Sequence, residues 1–266
     1  MLIDTHTHIF PDALAARVIP HMAQVCGTVP STEGTLDSLL ASMEKNHVDR
    51  SIILPVVTAP RQFDSINRFA AEVNEKNENL CSFGGIHPDC EDLHGKLRLL
   101  QKNGFIGIKL HPDYQNHMVD DPCMIETVGE AVALGMYVVI HAGFDPVSPD
   151  LVHAPPVRSR HLIDAVGETG PSHIILAHMG GSEQFDEVRQ YLMGTNVLLD
   201  TAYVVDRMPA QELEELILAH GANRVLFASD SPWGDVGKFA NMVRALSLSD
   251  QQKEQILYQN ALDLFF

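Results

Sequence analysis

Basic residues are scarce in this sequence compared with acidic ones. Lysine and arginine together number 18, against 35 aspartate and glutamate residues, so the formal net charge is −17 over 266 residues. A field of this sign repels nucleic-acid phosphates and anionic lipid headgroups. We therefore expect no nucleic-acid partner and no membrane partner, while a local cationic pocket for a small anionic molecule is compatible with the composition.

Several signals of other protein classes are also absent. No run approaches about 18 consecutive apolar residues, the length of a membrane-spanning helix. The opening MLIDTHTHIF has neither a basic cluster nor the apolar core of a signal peptide, so we expect a cytoplasmic protein. The four cysteines, Cys26, Cys81, Cys90 and Cys123, form no C-x-x-C pair, which favours reduced thiols over a zinc ribbon or a disulfide framework.

What the sequence contains is an alternation of short apolar runs with amphipathic segments. The runs SIILPVV and MYVVIH are continuously apolar, which is typical of parallel strands covered on both faces. Eight β-to-α units in about 250 residues, without a Gly/Ser-rich linker, predict an α/β protein whose residues 1–266 form a single-domain (β/α)8 TIM barrel. A doubly wound open sheet is the alternative, but neither G-x-G-x-x-G nor G-x-x-x-x-G-K-[ST] is present to favour it. The predicted strands are residues 2–5, 51–57, 81–86, 105–110, 137–140, 173–177, 197–200 and 225–228.

The helices between these strands have recognisable ends. Apolar residues on one face predict a helix over residues 209–220, with Gly221 just after its end. An Asp-Pro pair and a later glycine bound another helix within residues 121–135. Ser249, followed three residues later by Gln252, predicts a capping box.

Histidines carry most of the chemistry that the pattern predicts. Six of the 14 histidines lie at or just after the carboxyl end of a predicted strand. A barrel gathers these strand ends into one ring, where the functional groups of the fold collect. The six are His6, His8, His87, His111, His141 and His178.

The H-T-H sequence at positions 6–8 is the sharpest of these features. Alternate residues of a strand project to the same side, so two imidazoles can reach one ion from a single strand. The pair suits zinc, and also iron, nickel or cobalt, while two polar residues leaving a strand are the alternative. His141, His178 and Asp230 each follow a separate apolar strand, where a metal ion would satisfy a buried carboxylate. A satisfied histidine or a helix-capping aspartate is the alternative for each of these three.

The motifs around these residues together resemble the amidohydrolase superfamily, in the branch that includes aminocarboxymuconate-semialdehyde decarboxylase. They are HTHIFP at the start, IHAG, LAHMGG and SDSPW after later strands, and NALDLF at the end, and they span nearly the whole chain. The resemblance implies a divalent metal ion, most simply zinc, held by His6, His8, His141 and Asp230, with one ion favoured over two. It also implies that His178 joins a second ion or acts as a catalytic base and electrophile, and that Asp230 shuttles the proton of the attacking water.

Five further residues stand where a substrate would bind. Lys109, in GIKLHPDY, is a carboxylated lysine bridging two ions, an ammonium that binds a substrate carboxylate, or one member of an ion pair. His111 is expected in the pocket wall. Arg158 belongs to a long proline-rich loop that we expect to form a lid or rim, and it either binds an anionic substrate or lies in solvent at the start of the following helix. Tyr203 and Trp233 follow later strands, where they contact the apolar part of a substrate or pack beneath the rim.

Three functions compete at this point. The first is a metal-dependent hydrolase of a small amide, lactone, ester or related compound. The second is a metal-dependent, non-oxidative decarboxylase of an unsaturated or aromatic carboxylic acid, since that branch of the superfamily has the same ligand pattern. The third is a metal-binding barrel without catalysis. All three leave the substrate undefined, and a homodimer is compatible with the sequence.

Overall fold

A computed structural model describes residues 1–167, 170–205 and 207–266, which form nine strands and twelve α-helices. The strands are β1 (Ile3–Thr7), β2 (Arg50–Ile53), β3 (Leu80–Ser82), β4 (Gly84–Gly85), β5 (Gly107–Leu110), β6 (Tyr137–Ile140), β7 (Ile174–Leu176), β8 (Leu198–Asp200) and β9 (Val225–Leu226). The α-helices are α1 (Asp12–Cys26), α2 (Leu36–Asn46), α3 (Phe63–Lys76), α4 (Leu93–Lys102), α5 (Pro112–Gln115), α6 (Pro122–Ala133), α7 (Pro156–Val166), α8 (Phe185–Tyr191), α9 (Ala210–His220), α10 (Val236–Ala245), α11 (Asp250–Glu254) and α12 (Asn260–Phe265). Shorter 3-10 turns are Pro60–Gln62, His178–Gly180 and Ala222–Arg224, and a π-helical turn is Gln255–Gln259.

All eight predicted strand regions contain a strand. The strand predicted at residues 137–140 coincides with β6, whereas the one predicted at residues 81–86 is divided into β3 and β4. The strand predicted at residues 51–57 ends at Ile53, two residues before Pro55, which has no N–H group to donate to a strand neighbour.

The predicted helix ends are also confirmed. Gly221 caps α9, and its N–H group donates to the Ile217 carbonyl. Ser249 and Gln252 form the predicted capping box, in which each side chain accepts a hydrogen bond from the other residue's backbone N–H group. Among the described helices, none combines the length and the apolar composition that a membrane span requires.

The described residues divide into two compact units. Unit 1 comprises Met1–Ile53, Asn79–Cys81 and Asp200–Phe266. In it, β1 runs parallel to β2, with Ile3 beside Arg50, and its other edge bonds to the chain that follows β9. Along that edge the Thr5 N–H group donates to the Phe227 carbonyl at 3.0 Å. This pairing places the carboxyl end of β1 beside residues 227–231.

Unit 2 comprises Leu54–Glu78 and Ser82–Leu199. Its strands are parallel, in the order β4, β5, β6, β7 and then the first residues of β8. The β5 residue Leu110 pairs with Ile140 of β6, and Ile140 pairs with Leu176 of β7. All three side chains are fully buried. Because these strands end in register, the residues after them emerge at one edge of the sheet.

Candidate metal centre and histidine pair

His6, His8 and Asp230 form a compact cluster in unit 1. Two backbone hydrogen bonds fix the strand end that holds them: the Asp230 N–H group donates to the His6 carbonyl at 2.9 Å, and the His8 N–H group donates to the Ser231 carbonyl at 2.6 Å. Oδ1 of Asp230 lies 3.4 Å from Nε2 of His6 and 3.2 Å from Nε2 of His8. The two Nε2 atoms are 3.1 Å apart. Three ligand-type atoms therefore converge on one point.

Asp200, the last residue of β8, orients the His6 ring. Its Oδ2 atom lies 2.8 Å from Nδ1 of His6, while its Oδ1 atom accepts a hydrogen bond from the Ala202 N–H group at 3.0 Å. A proton held on Nδ1 by this carboxylate makes Nε2 the nitrogen that would bind a metal ion, as is usual where a carboxylate supports a metal-binding histidine. Asp200 is not among the site residues predicted from the sequence. Its position at the end of a predicted strand was the signal that could have identified it.

The cluster fits a divalent transition-metal ion. Ligand atoms about 2.1 Å from an ion are about 3.0 to 3.4 Å apart in octahedral or tetrahedral geometry, and the three separations here lie between 3.1 and 3.4 Å. Two imidazole nitrogens and one carboxylate are also the ligand types that such ions take. The donor set and its spacing thus favour a cation at this point over an apolar packing role.

Asp4 of β1 ties the strand to the segment that carries Asp230. Its carboxyl group accepts hydrogen bonds from the Ser229 hydroxyl and from the Ser229 N–H group, the latter at 2.9 Å. Burial raises the pKa of Asp4 to about 7, although the Ser229 hydrogen bonds oppose the shift. The contact holds β1 and residue 229 together, one residue before Asp230.

His111, His141 and His178 come together in unit 2, each just after one of the strands β5, β6 and β7. Nε2 of His178 lies 3.0 Å from Nδ1 of His141, so one of these nitrogens donates a hydrogen bond to the other. The rings of His111 and His141 are stacked, with centroids 4.2 Å apart. Oδ2 of Asp145 lies 3.5 Å from Nε2 of His111 and 3.8 Å from Nε2 of His141. All four residues are buried.

A second buried carboxylate, that of Asp113, lies next to His141. Its Oδ2 atom is 3.8 Å from Nε2 of His141, and its Oδ1 atom is 2.9 Å from Nδ1 of His153. Three of these residues were not predicted as site residues from the sequence: Asp113, Asp145 and His153. The motifs GIKLHPDY and IHAGFD contain both aspartates, but acidic residues after strands are too common for position alone to identify them.

The predicted roles of His141 and His178 as metal ligands stay predictions, as does the substrate role of Lys109. Lys109 lies within β5 between Gly85 and Val139, and its side chain is fully buried. A solvated surface position is therefore excluded for Lys109, and each of its three predicted roles would be that of a buried residue.

Arg158 lies in the first turn of α7, where it forms an ion pair with Asp120. Its Nη1 atom donates to Oδ1 of Asp120 at 2.7 Å, and this carboxylate raises the pKa of the guanidinium. The Arg158 side chain is 44% exposed. Arg158 therefore occupies the second of its two predicted positions, in solvent at the start of a helix. A substrate that binds Arg158 would have to compete with the Asp120 carboxylate.

Tyr203 and Trp233 are both half-buried in unit 1. The Tyr203 hydroxyl lies 3.0 Å from the Thr28 hydroxyl, and its ring is 6.5 Å from the Phe239 ring. The Trp233 backbone N–H group donates to the Asp230 carbonyl at 2.8 Å, in the turn that follows the metal-ligand residue Asp230. Contact of either ring with a substrate stays a prediction.

The family model described as amidohydrolase matches residues 3–266. The chain belongs to the amidohydrolase family. This membership agrees with the resemblance found in the HTHIFP, IHAG and SDSPW motifs. Comparison of this amidohydrolase with curated protein sequences gives no match.

Solved structures similar to this amidohydrolase include two decarboxylases and a hydrolase. A 2,6-dihydroxybenzoate decarboxylase complexed with 2,6-dihydroxybenzoate is 18% identical, with a TM-score of 0.71 and coverage of 99% of this chain and 98% of that chain. A dihydroxybenzoic acid decarboxylase from Polaromonas sp. JS666, with bound manganese and the inhibitor 2-nitroresorcinol, is 16% identical, with a TM-score of 0.72 and coverage of 99% and 96%. A probable 2-pyrone-4,6-dicarboxylic acid hydrolase from Acinetobacter baumannii with citric acid bound is 16% identical, with a TM-score of 0.67 and coverage of 99% and 98%. The likeness confirms the predicted fold class, an α/β (β/α)8 barrel.

Proposed function

We propose that this protein is a metal-dependent, non-oxidative decarboxylase of a small aromatic or unsaturated carboxylic acid. The observation that carries the proposal is the convergence of His6 Nε2, His8 Nε2 and Asp230 Oδ1 within 3.4 Å of one another. Two of the similar structures support the choice of reaction, since both are decarboxylases of dihydroxybenzoates. The hydrolase expected first from the sequence has the weaker support of one probable hydrolase.

The three ligand residues define what kind of ion the site would hold. A divalent ion bound there would supply positive charge that holds and polarises the oxygen atoms of an acidic substrate. Neutral imidazoles on His6 and His8 and the carboxylate of Asp230 accept manganese as well as zinc. Manganese is the ion in the Polaromonas relative. We therefore propose one divalent transition-metal ion, and the zinc expected from the sequence is one of the ions to compare.

The reaction also needs a proton donor. Decarboxylation breaks the bond between the carboxylate carbon and its neighbour, carbon dioxide leaves, and the electron pair left on the neighbouring carbon takes up a proton. We assign this proton to His178, since its Nε2 atom lies 3.0 Å from Nδ1 of His141 and the pair can exchange protons. Both rings are buried, so the protein sets their orientation. Lys109 and Arg158 are the proposed cationic contacts of an anionic substrate.

The experiment compares two substrate panels with the same metal-loaded protein. Hydroxybenzoates, including 2,6-dihydroxybenzoate, and enoic acids are assayed for release of carbon dioxide, while lactones and amides, including 2-pyrone-4,6-dicarboxylate, are assayed for release of acid. We expect carbon dioxide from at least one member of the first panel and its loss on chelation. Acid release from the second panel alone would replace the proposal with the hydrolase.

A further inference from the structure

A third group of ligand-type side chains lies in unit 2 and shares no residue with the two groups above. It consists of His87, Asp89 and His117, whose ligand atoms lie within 4.8 Å of one another. Nε2 of His117 is 3.1 Å from Oδ2 of Asp89, and Nδ1 of His87 is 3.8 Å from the same oxygen. The two rings meet edge to face, with centroids 5.9 Å apart. One carboxylate oxygen therefore lies between two imidazoles.

The turn after β4 fixes the position of the His87 ring. The Asp89 N–H group donates to Nδ1 of His87 at 3.2 Å, and the Cys90 N–H group donates to the His87 carbonyl at 3.0 Å. An Nδ1 atom that accepts a hydrogen bond carries no proton, and a metal ion at this atom would replace the Asp89 N–H group as its partner.

The loop between α5 and α6 orients the second histidine. Oδ2 of Asp121 accepts a hydrogen bond from the Met118 N–H group at 2.9 Å and lies 3.6 Å from Nδ1 of His117. Nε2 of His117 lies 3.1 Å from Oδ2 of Asp89, so without an ion this nitrogen donates a hydrogen bond to the carboxylate, and a metal ion between the two atoms would take the place of that proton.

The surroundings of the group are acidic. The carboxylates of Asp89 and Asp121 lie 3.1 and 3.6 Å from the two ring nitrogens of His117. Sγ of Cys123 is 3.5 Å from Nδ1 of the same ring. Among the residues that the structure describes, no lysine or arginine forms an ion pair with either carboxylate, and the nearby Arg158 guanidinium, whose pKa Asp121 helps to raise, is paired with Asp120. The local potential therefore favours a cation.

We propose that His87, Asp89 and His117 form a second binding site for a divalent transition-metal ion, with zinc as the best match. Two imidazoles and one carboxylate suit zinc, nickel or copper, whereas magnesium and calcium prefer oxygen ligands throughout. Three protein ligands leave a coordination position for water, and Asp89 is half-exposed, so the ion exchanges with the solution. The inference does not depend on the proposed decarboxylase activity.

A proton is the competing occupant of this position. A doubly protonated His117 would donate to Asp89 through Nε2 and to Asp121 through Nδ1, and the cluster would then be a surface ion-pair network. Variants of the cluster distinguish a bound metal ion from a bound proton. Removal of the Asp89 charge abolishes zinc binding if the occupant is a metal ion and leaves the zinc content unchanged if the occupant is a proton.

Zinc content measured by equilibrium dialysis tests the site. The intact protein, first loaded with manganese, is dialysed against micromolar zinc at pH 7.5, and both metals are counted per chain by elemental analysis. We expect the wild type to hold one more equivalent of zinc than Asp89→Asn or His117→Gln. His161→Gln, which removes an exposed histidine that pairs with Asp120, is the matched control and should bind as much zinc as the wild type.

Two further readouts keep the test decisive. His6→Ala should lose metal from the first cluster, yet the difference of one zinc equivalent caused by His117→Gln should persist in that background. Far-UV circular dichroism establishes that the variants are folded. Equal zinc content in the wild type and in both cluster variants would overturn the proposal and leave the cluster as an ion-pair network.

Discussion

Nδ1 of His6 and Oδ2 of Asp200 lie 2.8 Å apart, and both side chains are 1% exposed. This buried pair decides which nitrogen of His6 carries the proton, and it thereby leaves Nε2 directed at His8 and Asp230. Residue 200 follows an apolar strand that the sequence predicts, but its function becomes visible only when the strand end is placed beside His6. The pair is the part of the candidate metal centre that substitution can test most directly.

Asp200→Asn should weaken metal binding without removing a metal ligand. An asparagine amide keeps the shape and can still accept the Ala202 hydrogen bond, but it no longer stabilises the required His6 tautomer. Loss of such a second-shell carboxylate costs about 10- to 100-fold in metal affinity. Equilibrium dialysis against a metal buffer measures the change, with the exposed Asp186→Asn as control. An unchanged affinity would show that Asp200 has no orienting role.

Asp230→Asn should abolish turnover and lower metal content while the fold survives. Asp230 has a φ angle of +64°, a left-handed conformation that asparagine tolerates better than most residues, so the backbone should keep its course. The substitution removes the charged oxygen that lies 3.2 Å from His8 and 3.4 Å from His6. Metal per chain, carbon dioxide release and the melting temperature are measured together. Near-normal turnover would place the reaction elsewhere.

His178→Gln should reduce kcat and leave the metal content unchanged if the ring delivers the proton. Removal of a positioned general acid lowers the rate by about 10²- to 10⁴-fold. Glutamine keeps a hydrogen-bonding group near His141, so the buried partner is not left without a neighbour. His94→Gln, an exposed histidine that pairs with Glu130, is the control. Metal loss equal to that of His6→Ala would instead make His178 a ligand.

Much of the fold could be predicted because the apolar pattern and the turn residues agree in the sequence. The strand at residues 137–140 has the predicted limits. Helix α9 ends just before Gly221, and helix α11 begins just after Ser249, as predicted. The interrupted strand at residues 81–86 could not be predicted. The Asn74 side chain bonds to both the N–H group and the carbonyl of Ser82, at 2.5 and 3.0 Å, and such a tertiary contact leaves no periodic signal.

The candidate site also contains residues that could be predicted from the sequence and residues that could not. The motifs bring His6, His8 and Asp230 together as expected, because alternate residues of one strand and the end of another lie side by side. Asp145 and Asp200 were not foreseen, since an aspartate after a strand has many ordinary uses. That residues 1–266 form one domain also stays a prediction, because the described residues divide into two compact units.

Cys81 should react slowly with alkylating reagents. Burial raises the pKa of its thiol from 9.0 to about 11, although the nearby Arg50 guanidinium opposes the shift. At pH 8 the thiolate, which is the reactive form, is therefore about 100-fold rarer than for an unperturbed thiol. Iodoacetamide labelling followed by peptide mass analysis compares native and urea-unfolded protein. Equal labelling rates in the two states would contradict the shift.

Gly143→Ala should destabilise the protein, whereas Gly129→Ala should not. Gly143 has a φ angle of +88°, and a Cβ atom there would meet the Ser182 nitrogen at 2.0 Å, where the two chain segments pair. Left-handed strain and overpacking each cost about 1 to 3 kcal/mol. Gly129 lies within α6 with no atom within 4 Å of the added carbon, so alanine there should stabilise the helix by up to about 1 kcal/mol. Urea unfolding measures both changes. Equal unfolding midpoints for the two variants would show that the close approach of Gly143 to Ser182 does not restrict the side chain at this position.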